Sequence, residues 1–511
     1  MSVLSRGQRS AGVLMHVTSL PSRHGIGDLG PSAFAWIDRL HEAGQQWWQG
    51  LPIGPTGFGD SPYSALSAVA GNGLLISPDL LVEDQLLAAR AIEGQDFPPE
   101  TVDYDAVAAF KVGLLHIAWR RFNGGARPDL AGPFEEFCAR QAGWLDDYAL
   151  FRALKARHRG RHYLEWPADL VQRRPAALAT ARRDLAYEIG LVAFAQFLLA
   201  RQAAALRVHA AARGVRLIGD LPFFVASDSS DVWAHPELFL LNADRRPRYV
   251  AGVPPDAFSA DGQLWGNPLY DWEALRATGY RWWIARTRAL LEHVDVIRLD
   301  HFRAFAAAWH VKAGETTARS GQWLPGPGAG LFTAMARELG GLPFVVEDLG
   351  VITPDVVKLR DDFGLPGTRV LQFAFDGAPG NVHLPQYHPV NAVVYTGTHD
   401  NPTTRGWYEA LGGEERARVW RYLGRPAGGS AEAAPALLAL AWSSPAALAI
   451  APFQDVLNLG DEARMNVPGR AEGNWRWRCA AGALAPKTFE ALRELTVSAS
   501  RSPTRGTQTG A

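Results

Sequence analysis

The sequence of 511 residues predicts an α/β fold, a (β/α)8 TIM barrel that carries inserted subdomains. Eight short apolar runs are bounded by polar and glycine-containing segments, a pattern typical of buried parallel strands. Most gaps between the runs have the apolar spacing of a helix, and eight strand–helix units close a barrel of about 250 residues. The chain is longer, so we expect large insertions, and we expect no separate C-terminal β domain. The predicted strands span residues 12–18, 45–51, 215–221, 294–300, 344–349, 368–375, 392–397 and 448–457.

Two gaps between predicted strands are too long for a single crossover helix. The first, residues 61–183, contains amphipathic segments at 105–122 and 134–155, which indicate a helical subdomain. The second, residues 226–271, is rich in proline, glycine, aspartate and aromatic residues, which is typical of a lid or binding loop. A shorter segment, residues 314–330, contains Pro325-Gly-Pro-Gly and is predicted to be a surface loop.

These elements divide the chain into six predicted parts. The tail from residue 498 is rich in Ser, Thr and Gly and has no periodicity, so we expect it to be disordered. The parts are residues 1–60 with barrel strands one and two, 61–183 with the helical insertion, 184–225 with the third strand, 226–271 with the lid, 272–497 with strands four to eight, and 498–511 as the tail.

The overall composition argues against several functional classes. A formal net charge of −1 provides no general attraction to nucleic acid or to an anionic membrane. Cys138 and Cys479 are the two cysteines of the sequence, too few for a metal cluster or a disulfide framework, so we expect a cytoplasmic protein. The N-terminus lacks the apolar core of a signal peptide. The apolar stretches around residues 189–200 and 435–453 are too short or too interrupted to span a bilayer.

Motifs for nucleotides and zinc do not occur in the sequence. It contains no dinucleotide-binding fingerprint, no phosphate loop and no His-Glu-x-x-His. We therefore expect no cofactor and no metal. The glycine-rich Gly25-Ile-Gly-Asp-Leu-Gly leads into a helix start without a lysine, and is predicted to shape the barrel mouth.

Acidic residues follow three of the predicted strands: Asp300, the pair Glu347-Asp348, and Asp400. The carboxyl ends of parallel strands meet on one face of a barrel, where catalytic groups lie. Two carboxyl groups that face a glycosidic bond supply the nucleophile and the proton for its cleavage, and a third can stabilise an oxocarbenium ion. A single acid at a strand end is more often a helix cap or a salt-bridge partner. The pattern does not choose between Glu347 and Asp348.

The neighbours of these acids favour the catalytic interpretation. Arg298 lies two residues before Asp300 and hence on the same face of the strand, where a guanidinium can hold a carboxylate ionised. His399 and Asn401 flank Asp400. Three such clusters in one half of the chain predict a site that cleaves sugars.

Aromatic residues favour a carbohydrate ligand as well. Exposed Trp and Tyr are good platforms for the flat apolar faces of sugar rings. Most of the 18 Trp are expected in the core, but several fall in predicted loops, namely Trp233, Trp265 and Trp323.

Nine motifs, in order along the chain, resemble those of one enzyme family. Across about residues 11 to 495 the sequence is similar to the 4-α-glucanotransferases of the amylomaltase or disproportionating type, glycoside hydrolase family 77, in their short form. The motifs are Thr18-Ser-Leu-Pro, Gly25-Ile-Gly-Asp-Leu-Gly, Gly59-Asp-Ser-Pro-Tyr, Gly219-Asp-Leu-Pro, Trp265-Gly-Asn-Pro-Leu-Tyr, Arg298-Leu-Asp-His-Phe-Arg, Glu347-Asp-Leu-Gly, Gly397-Thr-His-Asp-Asn and Glu472-Gly-Asn-Trp-Arg-Trp-Arg.

The resemblance implies a retaining transfer of α-1,4-glucan segments to the 4-hydroxyl of an acceptor. It makes Asp300 the nucleophile, Glu347 the acid/base and Asp400 the transition-state stabiliser. The implied partners are maltooligosaccharides, amylose or glycogen-derived dextrins. The residues implied to contact the substrate or shape its site are Arg298 and His399 at the cleaved bond, Tyr63 beside them, Asp220 at the third strand, and Trp265 and Phe258 toward the acceptor.

The sequence departs from the family pattern at two places. Residues 384–388 read Leu-Pro-Gln-Tyr-His where relatives commonly have Leu-Pro-His-Asn-Tyr, and Ala257 stands where many have an aromatic residue. Neither place includes one of the three acids, so the departures concern acceptor preference. An α-1,4-glucan hydrolase that uses the same acids is the alternative, because water as acceptor requires no dedicated side chain.

Overall fold

Eight parallel strands form a barrel sheet, and four antiparallel strands form a smaller second sheet. The computed structural model describes residue 4, residues 9–255 and residues 259–503. In chain order the strands are β1 (Ser10–Leu14), β2 (Trp47–Gln49), β3 (Arg216–Leu221), β4 (Tyr249–Val253), β5 (Gln263–Pro268), β6 (Val296–Leu299), β7 (Ala307–Lys312), β8 (Gln322–Pro325), β9 (Phe344–Val346), β10 (Gly367–Val370), β11 (Ala392–Tyr395) and β12 (Leu448–Pro452).

The barrel sheet has the strand order β10-β11-β12-β1-β2-β3-β6-β9. The backbone N–H of Val346 in β9 donates to the carbonyl of Pro366, just before β10, at 2.9 Å, so the barrel is nearly closed. All eight predicted barrel strands are present in the predicted order, and the predicted (β/α)8 fold is confirmed. Within the described residues, no separate C-terminal β domain follows the barrel.

Successive side chains of a barrel strand point alternately to the interior of the barrel and to the surrounding helices. Val296 belongs to the buried cluster inside the barrel, together with Ile218 and Val345. The next residue, Ile297, belongs to the cluster that packs against the helices. Because side chains alternate between the faces of a strand, Arg298 returns to the interior. The strand pattern therefore places this charged side chain inside the barrel.

Helices surround the barrel and form the insertion. Pro31 begins the first helix at a position where its missing N–H costs nothing. Gly340 ends another with a left-handed φ of 74°. Among the described residues the helices are α1 (Pro31–Glu42), α2 (Pro78–Glu83), α3 (Tyr104–Asn123), α4 (Ala131–Arg157), α5 (Ala168–Val171), α6 (Pro175–Asp184), α7 (Ala186–Ala212), α8 (Ser230–Ala234), α9 (Trp272–Ala277), α10 (Arg281–Leu291), α11 (Arg303–Ala306), α12 (Gly328–Leu339), α13 (Pro354–Asp362), α14 (Thr404–Ala410), α15 (Gly413–Leu423), α16 (Ser430–Ser443), α17 (Phe453–Val456) and α18 (Pro486–Ser498).

Helices α2 to α6 occupy the predicted helical insertion, residues 61–183. The side chain of Asp103 caps α3 by accepting from the N–H of Ala106 at 3.1 Å. The following helix, α7, is longer than the sequence predicts. By length and composition it could cross a membrane, but it contacts α1, α3, α4 and β3, and half of its most apolar window is buried. It is placed as a core helix that leads into β3.

The second sheet combines the predicted lid with a segment beyond β6. Its order is β5-β4-β7-β8, and all its neighbouring strands are antiparallel. Residues 314–330, predicted as a surface loop, therefore contribute the edge strand β8. This strand is stabilised by cross-strand pairing of Trp309 with Trp323, whose ring centroids lie 5.3 Å apart.

Two chain segments differ from their predictions. The last barrel strand ends at Pro452, which has no N–H for a continuing ladder, and α17 follows it. The predicted disordered tail begins as ordered structure. Arg501 is fully buried and donates to four backbone carbonyls, those of Ser10, Trp442, Ser444 and Ala446. A buried guanidinium with this many acceptors fixes the chain, although the composition of the tail is typical of disorder. Residues 504–511 lie outside the described residues.

Candidate active site

The three predicted acids lie at one end of the barrel, at the carboxyl ends of its strands. Asp300 directly follows β6 and Glu347 directly follows β9. Asp400 lies in the loop after β11, and Asp220 is inside β3 near its end. Neighbouring strands β3, β6 and β9 thus present three carboxyl groups side by side, those of Asp220, Asp300 and Glu347.

Arg298 joins two of these carboxyl groups. Its Nη1 donates to Oδ2 of Asp220 at 2.8 Å and to Oδ1 of Asp300 at 3.0 Å. The hydroxyl of Tyr63 donates to the same Asp220 oxygen at 2.9 Å. Burial lowers the pKa of Arg298, but Asp220, Tyr63, Asp300 and Glu347 outweigh it and hold this pKa well above its ordinary value. Burial raises the pKa of Asp220 to about 7 although Arg298 opposes the shift.

Glu347 is held by two backbone N–H groups. His301 donates to Oε2 at 2.8 Å and Leu349 donates to Oε1 at 3.1 Å. Burial raises the pKa of Glu347 to about 8, and the nearby Asp300 adds to this, whereas Arg298 and the two N–H groups oppose it. A carboxyl group that keeps its proton near neutral pH is suited to general acid catalysis.

Asp348, the neighbour that the sequence pattern could not exclude, is engaged elsewhere. Its side chain accepts from the N–H of Thr368 and from the guanidinium of Arg360, each at 2.6 Å. It is almost completely buried. This carboxylate ties β9 to β10 and α13, and has a structural role, so the environment separates it from Glu347.

Asp400 is supported by a loop that lies far away in sequence. Asn466 donates to Oδ1 of Asp400 at 2.6 Å, and Arg464 donates to its backbone carbonyl at 2.8 Å. Nε2 of His399 lies 3.4 Å from the other carboxylate oxygen. Burial lowers the pKa of His399, which favours the neutral ring, and Asp400 opposes this shift.

Aromatic rings line the site on two sides. The ring of Tyr63 stacks on His399 with centroids 5.2 Å apart and an interplanar angle of 9°. On the other side Trp265, which is 39% exposed, lies edge-on to the ring of His301 at 4.9 Å. His301 has a left-handed φ of 48°, and its N–H donates to Glu347. Of the predicted binding residues, Phe258 lies outside the described residues, as does Ala257.

Two sets of hydrogen-bond donors in the site are not predicted by the sequence. Asn466 and Arg464 lie in an irregular loop, and nothing in their sequence context links them to Asp400. The backbone N–H of His301 and that of Leu349 carry no side-chain signal at all. Elsewhere, no three side chains of His, Cys, Asp or Glu within the described ranges lie close enough to hold a metal ion.

Comparisons with known proteins agree over nearly the whole chain. The family model described as 4-alpha-glucanotransferase, glycoside hydrolase family 77, matches residues 15–484. The 4-alpha-glucanotransferase of Synechocystis sp. is 49% identical over 477 residues, which cover 92% of this chain and 94% of the relative. That of Thermus thermophilus is 48% identical over 492 residues, covering 95% of this chain and 98% of the relative.

A solved structure adds the same result for the fold. The amylomaltase from Streptococcus agalactiae in complex with acarbose superposes with a TM-score of 0.93 at 36% identity, covering 97% of this chain and all of that one. The chain therefore belongs to the 4-alpha-glucanotransferases of glycoside hydrolase family 77 and is an enzyme of that class.

Proposed function

We propose that the enzyme transfers α-1,4-glucan segments with retention of configuration, through a covalent glycosyl-enzyme. Asp300 attacks the anomeric carbon of the donor while Glu347 protonates the departing sugar. Glu347 then removes the proton from the 4-hydroxyl of an acceptor glucan, which attacks the same carbon and releases Asp300. The retaining route requires the two carboxyl groups about 5 Å apart.

The observation that carries this proposal is the contrast between Asp300 and Glu347. Asp300 accepts a charge-assisted hydrogen bond from the guanidinium of Arg298 at 3.0 Å. Glu347 is partly buried and bonds two backbone N–H groups where Asp300 bonds the cation, and desolvation raises the pKa of its carboxyl group to about 8. Neighbouring carboxyl groups in such different environments are the pattern of a nucleophile beside a general acid.

Asp400 is proposed to stabilise the positive charge that develops on the sugar. Its carboxylate is fixed by Asn466 and faces His399, whose ring is fixed in turn by stacking on Tyr63. A preorganised negative charge stabilises an oxocarbenium-like transition state without reorganisation at the moment of reaction.

The acceptor side is proposed to lie at Trp265. This half-exposed ring touches His301, whose N–H holds Glu347, so a sugar stacked on Trp265 lies next to the acid/base. Such a platform favours a sugar acceptor over water. We propose linear maltooligosaccharides as substrates, and because the Streptococcus agalactiae relative was solved with acarbose, we expect acarbose to inhibit. A cytoplasmic location remains part of the proposal.

Incubation with maltotriose tests transfer against hydrolysis. Transfer produces a ladder of longer and shorter glucans with a constant number of reducing ends. Hydrolysis by the same acids produces only glucose and maltose, and the number of reducing ends rises. The second result would establish the hydrolase alternative.

The covalent step can be tested with Glu347→Gln. An α-glucosyl donor with a good leaving group requires no proton, so this variant should still glycosylate Asp300 and then stall. We expect a glycosyl adduct in the intact mass of the protein, located by peptide mapping to Asp300. Wild-type enzyme is the control, since it should turn the adduct over. A folded variant that forms no adduct would contradict the roles proposed for both residues.

A further inference from the structure

Asp455 is a buried carboxylate just beyond the last barrel strand, in α17, and the chemistry above does not use it. Its three hydrogen-bond donors come from the two ends of one segment, residues 396–404, which we call the catalytic loop because it carries His399 and Asp400. At one end, the hydroxyl of Thr396 donates to Oδ2 at 2.5 Å. At the other, Thr404 donates its N–H to Oδ1 at 2.7 Å and its hydroxyl to Oδ2 at 2.6 Å.

Gln454, the residue before Asp455, binds the segment whose side chains hold Asp400. Gln454 donates from Nε2 to the carbonyl of Ala463 at 3.2 Å, in the segment that contains Arg464 and Asn466. Arg464 and Asn466 are the residues that bond Asp400 itself. Two consecutive residues of α17 thus hold the catalytic loop and the loop that fixes the carboxylate of Asp400.

We infer that Asp455 is a positioning residue for Asp400, acting through the ends of the catalytic loop. It touches neither substrate nor reacting atoms. Without it, the two buried Thr hydroxyls and one N–H lose their shared acceptor, and the two ends of the loop lose their common anchor on α17 and depend on the longer bonds from Gln372. A displacement of about 1 Å at a catalytic group costs up to about a hundredfold in rate. The inference rests on the proposed role of Asp400.

Asp455→Ala is the main test, measured as maltotriose transfer well below the melting temperature. We expect kcat to fall at least about tenfold while KM changes less than about threefold, because a displaced Asp400 weakens transition-state stabilisation more than ground-state binding. Asp455→Asn should recover part of the rate, since its carbonyl can still accept from Thr404. If Asp455→Ala does not fold, Thr396→Val removes one of the three bonds with little change in volume.

Asp295→Ala is the matched control. Asp295 also ties two strands at a barrel end, accepting from the N–H of Leu217 and from Arg207, but it lies just before β6, at the opposite end of the barrel. It should lower the melting temperature and leave kcat and KM unchanged. A folded Asp455→Ala enzyme with kcat within twofold of wild type would overturn the inference.

A double-mutant cycle separates this inference from the proposed function. Asp400→Asn should remove most of the activity by itself. In that background Asp455→Ala should have little further effect, because both changes remove the same interaction. If Asp400→Asn stays active, the proposed function is wrong. If Asp400→Asn is inactive and Asp455→Ala is additive in residual rate, only the positioning role fails.

Discussion

Glu347 and Asp348 show how far a residue's role depends on its surroundings. Both are acids at the end of β9, and the sequence pattern alone cannot rank them. The carboxylate of Asp348 accepts hydrogen bonds from Arg360 and from a backbone N–H of β10, whereas the carboxyl group of Glu347 lies near Asp300. The resemblance to the family implies Glu347 rather than Asp348 as the acid/base. The hydrogen bonds that occupy Asp348 give a physical reason for the same assignment.

The pKa of Glu347 predicts an alkaline limit to activity. In the proposed mechanism the free enzyme needs this group protonated to expel the leaving sugar, and burial raises its pKa to about 8. We expect kcat/KM to be level just below this pH, while Asp300 stays ionised, and to fall about tenfold per pH unit above it. The control is the pH profile of kcat/KM for a donor whose leaving group needs no proton. Glycosylation by this donor should show no decline above the pKa of Glu347.

The same shift makes stability depend on pH. Between the ordinary value of 4.5 and about 8, the folded enzyme holds a proton on Glu347 that the unfolded chain has lost. The contribution of this group is therefore complete below pH 4.5 and is lost as the pH rises toward 8. Glu347→Gln should raise the melting temperature at pH 7.5 relative to wild type and have no such effect at pH 4.5. An equal shift at both pH values would contradict the raised pKa.

Asp300→Asn should abolish transfer and hydrolysis together, because the amide cannot form the glycosyl ester. We expect a loss of several orders of magnitude in kcat with glucan binding retained. Isothermal titration with acarbose measures the binding separately. If a folded variant kept a tenth of the wild-type rate, Asp300 would not be the nucleophile.

At the scale of elements, the sequence predicts the barrel strands better than it predicts the second sheet and the loops around the site. All eight strands are found because buried parallel strands are continuous apolar runs, although most are two to four residues shorter than predicted. The edge strand β8 was missed because only four residues pair, next to a Pro-Gly turn. Likewise, Asn466 contacts Asp400 across 66 positions, and local sequence patterns carry no information on such distant contacts.

In the second sheet, β5 approaches Gly252 of β4 so closely that a larger residue does not fit there. A Cβ at this position would lie 2.5 Å from the backbone carbonyl of Gln263, so Gly252→Ala must push β5 away. Because β5 carries Trp265, we expect KM for glucose as acceptor to rise about fivefold to tenfold, equivalent to about 1 kcal/mol of lost stacking, and we expect the melting temperature to fall because the clash is with backbone. Gly341→Ala, where the added carbon meets nothing within 4 Å, is the control. An unchanged acceptor KM would place Trp265 outside the acceptor site.

At the scale of the whole molecule, Arg501 fastens the C-terminal segment to the barrel. Its guanidinium donates to the carbonyl of Ser10, the first residue of β1, to that of Trp442 in the last turn of α16, and to those of Ser444 and Ala446 between α16 and β12. Arg501→Ala removes a donor from each of these four carbonyls, of which that of Trp442 keeps the guanidinium of Arg9, and we expect a loss of about 3 kcal/mol in the free energy of unfolding. Activity at 25 °C should be unchanged. The exposed Arg337→Ala is the matched control, and equal stability of the two variants would show that the buried bonds contribute nothing.

The pairing of the first strand with the last also sets the order of events during protein synthesis. β1 lies between β2 and β12, and Ser10 bonds Ala447 from 437 positions away. At about 5–20 residues per second, a ribosome needs roughly 20 to 90 s to deliver that partner. Throughout this time one edge of β1 is open, and Arg501, which seals the junction, emerges later still. The nascent chain can complete its helical insertion early, but it can close the barrel only after β12 has been synthesised.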